Sequence, residues 1–367
     1  MGAGVSLALG YGPRVIDHLA PRVLRTSRLT LRPPTRADHD FLGALHGDPE
    51  LYRHAPWARQ TDPAAFALDF AGWHGMWAEL GFGYWVVLDS AGEAIGFAGL
   101  RPAAPGRLNL YYRFAAAAHG HGFAREAARA AATHAAEWLP GHVVEAVVVP
   151  GHTASIRTAE SAGLILAGTR RHPGDPAEVG ESLVLEGPTI ERIDALDDEL
   201  RHDVLALWSR VTDAGGSVGF LPGTPVREIA AALAAHEDEM AAGRAFAVAL
   251  RAGSALAGWA WWTRSVNPLL GHGRWLYRFM VDPTRQGRNV GAILLAAATG
   301  LARADGAEQL HLSYRSGSGL GDFYAKGGYD EVGRLPGVIR VAAGDDRDEV
   351  WMSRRVDGAP LVWDGRR

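Results

Sequence analysis

One pattern occurs twice along the 367 residues, and it restricts the chain to folds that can be built as two copies of one unit. In each copy an apolar run leads into a short loop of glycine with basic or amide residues, and the loop opens an alanine- or leucine-rich helix. The first loop is His119-Gly120-His121-Gly122-Phe123-Ala124 and the second is Gln286-Gly287-Arg288-Asn289-Val290-Gly291. Gly96 in AIGFAGL is matched by Gly258 in ALAGWAWW, and Gly163 in ESAGL by Gly328 in AKGGY. The separations of these glycines and of the loops are 162, 165 and 167 residues, near enough to one value to indicate a duplicated domain. The chain length suits two domains of ordinary size.

The loop itself points to a ligand. The first turn of a helix has backbone N–H groups with no partner inside the helix, and the helix dipole places partial positive charge there. Small residues let a ligand approach that backbone, so the pattern selects a phosphate or pyrophosphate. Neither copy ends in the Gly-Lys-Ser/Thr of a nucleotide P-loop. A dinucleotide fold would set its loop after the first strand of a βαβ unit, whereas here the loop follows three or four strands that read as antiparallel. Two glycine turns that only cap helices are the bland alternative, and duplication of the whole pattern counts against it.

Composition excludes several classes. There is no cysteine, so disulfides, thiolate metal sites and a cysteine nucleophile are ruled out. The net charge of −4 gives no general attraction to nucleic acid. No stretch approaches the ~20 apolar residues of a membrane span. MGAGVSLALGYGPRV lacks the basic start of a signal peptide, so residues 1–21 read as a tail or docking arm. A cytoplasmic protein of a GC-rich bacterium is expected, a monomer or homodimer acting on a small molecule, with no nucleic-acid or membrane partner. No metal is expected, since His119-x-His121 has no third ligand nearby.

Period and punctuation place the elements. The first half reads as a strand at 28–32, helices from Thr35 to His46 and from Pro63 to Glu79, a hairpin of 84–88 with 94–100, and a strand at 108–114. The loop helix then runs to Trp138, followed by a strand at 143–149 and a helix at 153–162. The second half repeats this order: strand 190–193, helices 197–211 and 225–242, hairpin 246–250 with 255–262, and strand 275–281. Its loop helix runs to Gly306, followed by strand 309–314, a short helix at 323–326 and strands 338–341 and 349–354. Gly187-Pro188 marks the boundary, giving a tail (1–21), domains 22–187 and 188–356, and a C-terminal tail (357–367).

The order β-α-α-β-β-β-loop-α-β-α-β resembles the GNAT acyltransferase fold, whose loop has the pattern Gln/Arg-x-x-Gly-x-Gly/Ala. The second copy fits as Gln286-x-x-Asn289-x-Gly291, with Asn tolerating the backbone angles of Gly. The first fits as His119-x-x-Gly122-x-Ala124. The resemblance implies an α/β (α+β) chain of two tandem GNAT domains. Each would have a mixed, mostly antiparallel sheet flanked by helices and a pyrophosphate site between the fourth strand and the third helix. The first half (RLTLRPPTRADHD, HGHGFAREAARA, PGHTASIRTAESAGL) resembles acetyltransferases of ribosomal-protein N-termini and some antibiotics. There Asn of Pro-x-Asn-x-x-Ser is replaced by His152, and Asn109 stands near an expected strand acid. The second half (AGGSVGFL, FMVDPTRQGRNVGAILL, GLGDFYAKGGYDEVGRLPGV) resembles tabtoxin-resistance acetyltransferases. The positions of two acids in those relatives fall near Trp275 and at Ser313.

The resemblance implies an acetyl-CoA-dependent N-acetyltransferase acting on a primary amine of a small antibiotic or amino-acid-like molecule. Transfer would be direct and one domain degenerate. Tyr324 is then the general acid, with a core tyrosine of satisfied hydroxyl as the alternative, and the Val281 N–H polarises the thioester carbonyl, with Met280 as wall. Ser155 is the candidate acid of the first half, with helix N-capping as an equal alternative. Acetyl-CoA is expected on Met280, Val281 and the second loop (Gln286, Gly287, Arg288, Asn289, Val290, Gly291). In the first half it is expected on His119, Gly120, His121, Gly122, Phe123 and Ala124. Trp57, Trp73, Trp77 and Phe220 stand near the acceptor cleft of such folds, although a helical aromatic stripe is mostly core. Phe323 is expected to face the core, Asp282 reads as a turn residue and His311 as a satisfied core histidine. Arg125-Glu126 and Arg347-Asp348 read as solvated pairs, and no general base stands out. A mycothiol-synthase-like tandem acetyltransferase and a non-catalytic acyl-CoA or small-ligand binding protein are the alternatives.

Overall fold

The computed structural model describes residues 20–172 and 175–362. Residues 1–19 and 363–367, which hold most of the expected N-terminal tail and the end of the C-terminal one, lie outside the described residues. The chain divides into two compact units, the first ending at Pro188 and the second starting at Thr189.

The first unit runs β1 (Leu24–Arg25), β2 (Thr30–Arg32), α1 (His39–Gly47), α2 (Pro63–Glu79), β3 (Tyr84–Leu88), β4 (Ala94–Ala104) and β5 (Arg107–Phe114). It continues with α3 (Phe123–Trp138), β6 (Val143–Val148), α4 (Thr153–Ser161), β7 (Ile165–Arg170) and β8 (Ser182–Glu186). The strands lie in the order β1-β2-β3-β4-β5-β6-β8-β7. Among the described residues of this unit, only β5 and β6 pair in parallel.

The second unit runs β9 (Thr189–Ile193), α5 (Asp198–Asp213), α6 (Val226–Ala241), β10 (Ala245–Ala252), β11 (Ala255–Thr263) and β12 (Gly273–Val281). After these come α7 (Val290–Ala304), β13 (Gln309–Arg315), α8 (Leu320–Lys326), β14 (Asp330–Ala342) and β15 (Asp345–Arg355). The order is β14-β15-β13-β12-β11-β10-β9, with β12 and β13 the parallel pair. Two mixed, mostly antiparallel sheets flanked by helices make this an α/β fold, as the element order implied.

The sheets form where they do because their central strands are apolar on both faces. Tyr84 to Val87 and Ala245 to Leu250 are buried without alternation. The aromatic ladder of α2 supplies a core of Phe66, Phe70 and Met76 against Leu42, Leu45 and Phe97. α7 buries Ile293, Leu294, Leu295 and Ala298 on its sheet. Both loop helices start from a left-handed residue, Gly122 at φ 78° and Asn289 at φ 67°. Glycine takes that conformation freely and asparagine at modest cost.

Each parallel pair is short. β5 and β6 pair only from Arg107/Val143 to Asn109/Glu145. β12 and β13 pair only from Gly273/Gln309 to Leu276/Leu312. Beyond these residues the ladder stops, so the C-terminal half of each loop-bearing strand presents an unpaired edge toward its parallel neighbour.

Several expectations are corrected. The first loop follows the fifth strand of its unit, because Leu24–Arg25 pairs with Thr30–Arg32 as an extra two-residue strand. The strand expected at 28–32 is thereby shortened. The helix after Thr35 begins as a 3₁₀ turn, Arg36–Asp38. It is tightened by the Asp38 carboxylate, which accepts from the Thr35 N–H at 2.6 Å, the Thr35 hydroxyl at 2.8 Å and Arg32 at 2.7 Å. β7 and β8 were not singled out, since β7 (ILAGTR) is an exposed edge with no apolar alternation. β14 starts at Asp330, earlier than its apolar residues indicated, because pairing with β15 carries it through polar sequence.

Candidate functional site

In the second unit the site grows from the end of β12. The Asp282 N–H donates to the Ala257 carbonyl at 2.9 Å, which makes these two a hydrogen-bonded pair. The adjacent pair, Gly258 and Val281, is then of the non-hydrogen-bonded kind. The Val281 N–H therefore turns away from β11, toward the side where β13 has left the ladder. Met280 is fully buried and forms wall. Asp282 accepts from the N–H and hydroxyl of Thr284 at 3.0 and 2.7 Å and from Arg210 at 2.9 Å, a turn residue held in place. Gln286, Gly287 and Arg288 are exposed, and a Cβ on Gly287 would meet nothing within 4 Å. Val290 is buried beneath them. Gly291 packs close enough that a Cβ would lie 3.4 Å from the Phe323 ring and 3.7 Å from Val281.

Tyr324 sits on α8 on this side of the sheet, its ring 6.2 Å from Phe279 and 6.0 Å from Tyr314. It is 5 % exposed. Burial, reinforced by Tyr329, raises its pKa, so the phenol holds its proton. Phe323 was expected to be the more inward of the two, but it is half-buried and Tyr324 is the deeper. The turn that closes α8, Tyr329 N–H to Tyr324 carbonyl at 3.1 Å, anchors Tyr324 against the core.

The opposite face carries a carboxylate that sequence reading missed. Side chains alternate along β13, so Ser313 faces away from Tyr314 and Tyr324. The Ser313 hydroxyl donates to Glu349 Oε1 at 2.7 Å. Glu349, on β15, is half-buried. Ser313, which stands where the relatives carry a strand acid, thus has a carboxylate against it from β15. Only the pairing of β13 with β15 could have pointed to it, since 36 residues separate the two. His311 bonds the Ser353 hydroxyl at 2.8 Å and lies beside Trp275, a satisfied histidine. Phe220 packs 5.7 Å from Trp208 at the edge of the core.

The first unit repeats the frame with different fittings. The Ala115 N–H donates to the Ile95 carbonyl at 3.0 Å, so Phe114, paired with Gly96, takes the place of Val281. The same helix-closing turn, Leu164 N–H to Ala159 carbonyl at 3.2 Å, puts Ala159 where the second unit has Tyr324. A phenol comes instead from the strand. The Tyr112 hydroxyl donates to the Ser155 carbonyl at 2.8 Å and lies 3.0 Å from Ser155 Oγ. With its proton on the carbonyl, Tyr112 accepts from Ser155, whose hydroxyl proton is thus engaged. Ser155 does not cap α4, since His152 is the capping position. Asn109 has beside it Glu145, fully buried, with one oxygen on Arg107 at 3.0 Å and the other on Arg170 at 2.6 Å. That carboxylate is fully committed.

Of the first loop, Gly120 and Gly122 have positive φ, and Phe123 and Ala124 begin α3. His119 turns its Nε2 to the Phe114 carbonyl at 3.0 Å, and His121 stacks on Phe123 at 5.6 Å. Arg28 donates to the His121 carbonyl at 2.9 Å and pairs with Glu126 at 2.6 Å. Glu126 is no solvated charge: burial pushes its pKa up, but bonds from Thr26, Arg28 and Ser27 outweigh this and hold it low. Arg347 and Asp348 pair on the surface, with Asp345 and Arg334. Trp77 is core, with its indole N–H on the Tyr84 carbonyl. Trp73 lies in the aromatic cluster beside His46 and Phe97. Trp57 bonds Asp175 at 3.1 Å. Arg113 donates to the Tyr111 hydroxyl and the Leu51 carbonyl, with stacked His54 and His152 nearby. Burial, with help from His152 and Arg113, lowers the His54 pKa to about 4.

A family model described as an acetyltransferase (GNAT) domain matches residues 28–165, and a second model of the same description matches 223–336. No curated protein sequence matches the chain. Among solved structures the chain is similar to an acetyltransferase from Agrobacterium tumefaciens (28 % identity, 45 % of this chain and 92 % of that one, TM-score 0.38). It is also similar to the ribosomal-protein-S18-alanine N-acetyltransferase of Escherichia coli (15 %, 49 % and 99 %, 0.37). A third is the ribosomal-protein-alanine N-acetyltransferase of Brucella melitensis (16 %, 45 % and 98 %, 0.38). GNAT acetyltransferases use acetyl-CoA as cosubstrate. In both loops a positive-φ residue opens a long helix, and a Cβ added to Gly120 or Gly287 would meet nothing within 4 Å, an arrangement compatible with an approaching phosphate. The chain belongs to the GNAT acetyltransferases and carries two domains of that family in tandem.

Proposed function

We propose that the second unit transfers an acetyl group to the primary amine of a small molecule, and that the first unit is the degenerate copy. One observation carries this reading. Around the open edge of β12 the second unit gathers a Val281 N–H turned off the ladder, a protonated Tyr324 on one face and Glu349 on the other. The first unit has Ala159 in place of Tyr324 and, by strand register, Ser182 in place of Glu349, while its own buried Glu145 is committed to two arginines. Acetyl-CoA would supply an acetyl group already activated as a thioester, held by Gln286 to Gly291 and the start of α7. Glu349 accepts a proton from the acceptor ammonium and frees the amine for attack. The Val281 N–H donates to the carbonyl oxygen as negative charge develops there. As the C–N bond forms and the C–S bond breaks, Tyr324 gives its proton to the departing thiolate, and the phenolate so formed takes the remaining excess proton from the new amide nitrogen, while Glu349 returns its proton to solvent. No covalent enzyme intermediate is required.

The test is turnover of acetyl-CoA with a panel of amines, read as thiol release. Tyr324→Phe should lower kcat at least ~10-fold, and Glu349→Gln about 10²-fold, with acetyl-CoA affinity near wild type in both. Unchanged kcat in either variant removes that residue from the mechanism.

A further inference from the structure

Arg278 is a cation that the second unit leaves without a counter-charge. Among the described residues it forms no ion pair, and its Nε is buried without a hydrogen-bond partner. The guanidinium lies over the Trp208 ring at 5.5 Å. His236, stacked on Trp261 at 4.5 Å, stays neutral, its pKa lowered to about 4 by burial and by Arg278. Glu239, the carboxylate beside His236, is spoken for by Arg244 at 2.8 Å, and among the described residues Tyr277 is the one group that acts on the Arg278 charge. A half-buried charge with no partner is costly, and a fold retains it where something else supplies the partner.

The backbone shows the same emphasis. Arg278 has φ 51°, one of two positive values among non-glycine residues of the described chain. It stands in a bulge, where the β11/β12 register jumps between Trp259 and Trp261. The first unit pairs continuously over the equivalent stretch, from Gly96/Phe114 to Arg101/Asn109. Bulges re-aim side chains, and strain of this kind gathers at functional sites. Gly219 makes room: a Cβ there would lie 2.1 Å from Arg278 Nη1. Arg278 and Glu349 both act on the Tyr277 phenol, in opposite senses. The face of β12 turned toward α5 and α6 thus carries Arg278, with Glu349 near the same Tyr277, one cation and one anion for an incoming molecule.

We infer that Arg278 is the specificity residue of the second unit and binds a carboxylate on the acceptor, so that the acceptor is an amine that also bears a carboxylate. This rests on the acetyl-transfer reading above and deepens it. The guanidinium would take the carboxylate through its free N–H groups, leaving the ammonium for Glu349.

The experiment compares L-amino acids, β-alanine and γ-aminobutyrate with their amides, as acceptors with acetyl-CoA and as ligands followed by tryptophan fluorescence, since Trp208 lies beneath Arg278. Acids should be preferred in wild type, and Arg278→Gln should cut the acid-to-amide ratio of kcat/KM about 10- to 100-fold. Gly219→Ala, which displaces the guanidinium without deleting it, should do the same and decides the matter if Arg278→Gln melts abnormally. Equal use of acids and amides, or a preference that survives both changes, overturns the inference while acetyl transfer stands. Acid binding lost in Arg278→Gln, with no acceptor turned over, keeps the anchor and sinks the transfer reading. Neither binding nor turnover sinks both.

Discussion

His134 shows how a single side chain can burden a fold. It lies on α3 with its ring 5.4 Å from Trp85, and neither ring nitrogen has a hydrogen-bond partner. Burial lowers its pKa from 6.5 to about 4. The unfolded chain therefore takes up a proton near pH 6.5 that the folded chain refuses. Stability is full above that pH and is lost as pH falls toward 4. His46, His54 and His236 are lowered to about 4 as well, all chiefly by burial, so they steepen the same slope. Replacing His134 by Leu should raise stability at pH 7.5 by about 1 kcal/mol, because an unsatisfied polar ring gives way to an apolar one. The gain should grow at pH 5. Thermal melts at the two values check this, and a variant less stable at both would mean that ring packing outweighs polarity. Residue roles were unevenly legible. Tyr324 and Val281 were marked by motif and strand end. Arg278 was not, since an arginine in a strand carries no sign of being unpaired until its neighbours are known.

At the level of elements, the two loop–helix junctions share one backbone device but differ in their surroundings. The first is backed by Arg28 and Glu126, while in the second a Cβ on Gly287 would meet nothing within 4 Å and Gly291 packs on Phe323. A carboxylate placed at the helix start should repel phosphate in its own unit alone. Gly122→Glu and Asn289→Glu each carry that change, and acetyl-CoA turnover should fall at least ~10-fold in Asn289→Glu but stay near wild type in Gly122→Glu. The reverse result would move catalysis to the first unit. The loops, their helices and most strands could be read from the chain because their signals are local: glycine, caps and apolar period. β7 and the early part of β14 could not be, since they are held by pairing across the sheet and not by their own residues.

For the whole molecule, two units of one family pose a question of stoichiometry. Calorimetric titration with acetyl-CoA should give near two sites per chain if both loops still hold pyrophosphate, and near one if the first has lost the cofactor with its chemistry. The proposed division of labour expects turnover only from the second unit in either case, so a chain with no site at all would end the acetyltransferase reading of both copies. The amino-acid order alone pointed to the duplication, through matching offsets of 162, 165 and 167 residues, and to the mixed sheet, through element signals that lie within short stretches of chain. Only the tertiary structure supplies the differences between the copies on which the proposed division of labour rests. Glu349 meets Ser313, Glu145 is consumed by two arginines, and Arg278 stands alone beside Trp208, because chain segments far apart in sequence are brought together by strand pairing and packing. Charge and proton availability depend on those neighbours, and no local pattern encodes them.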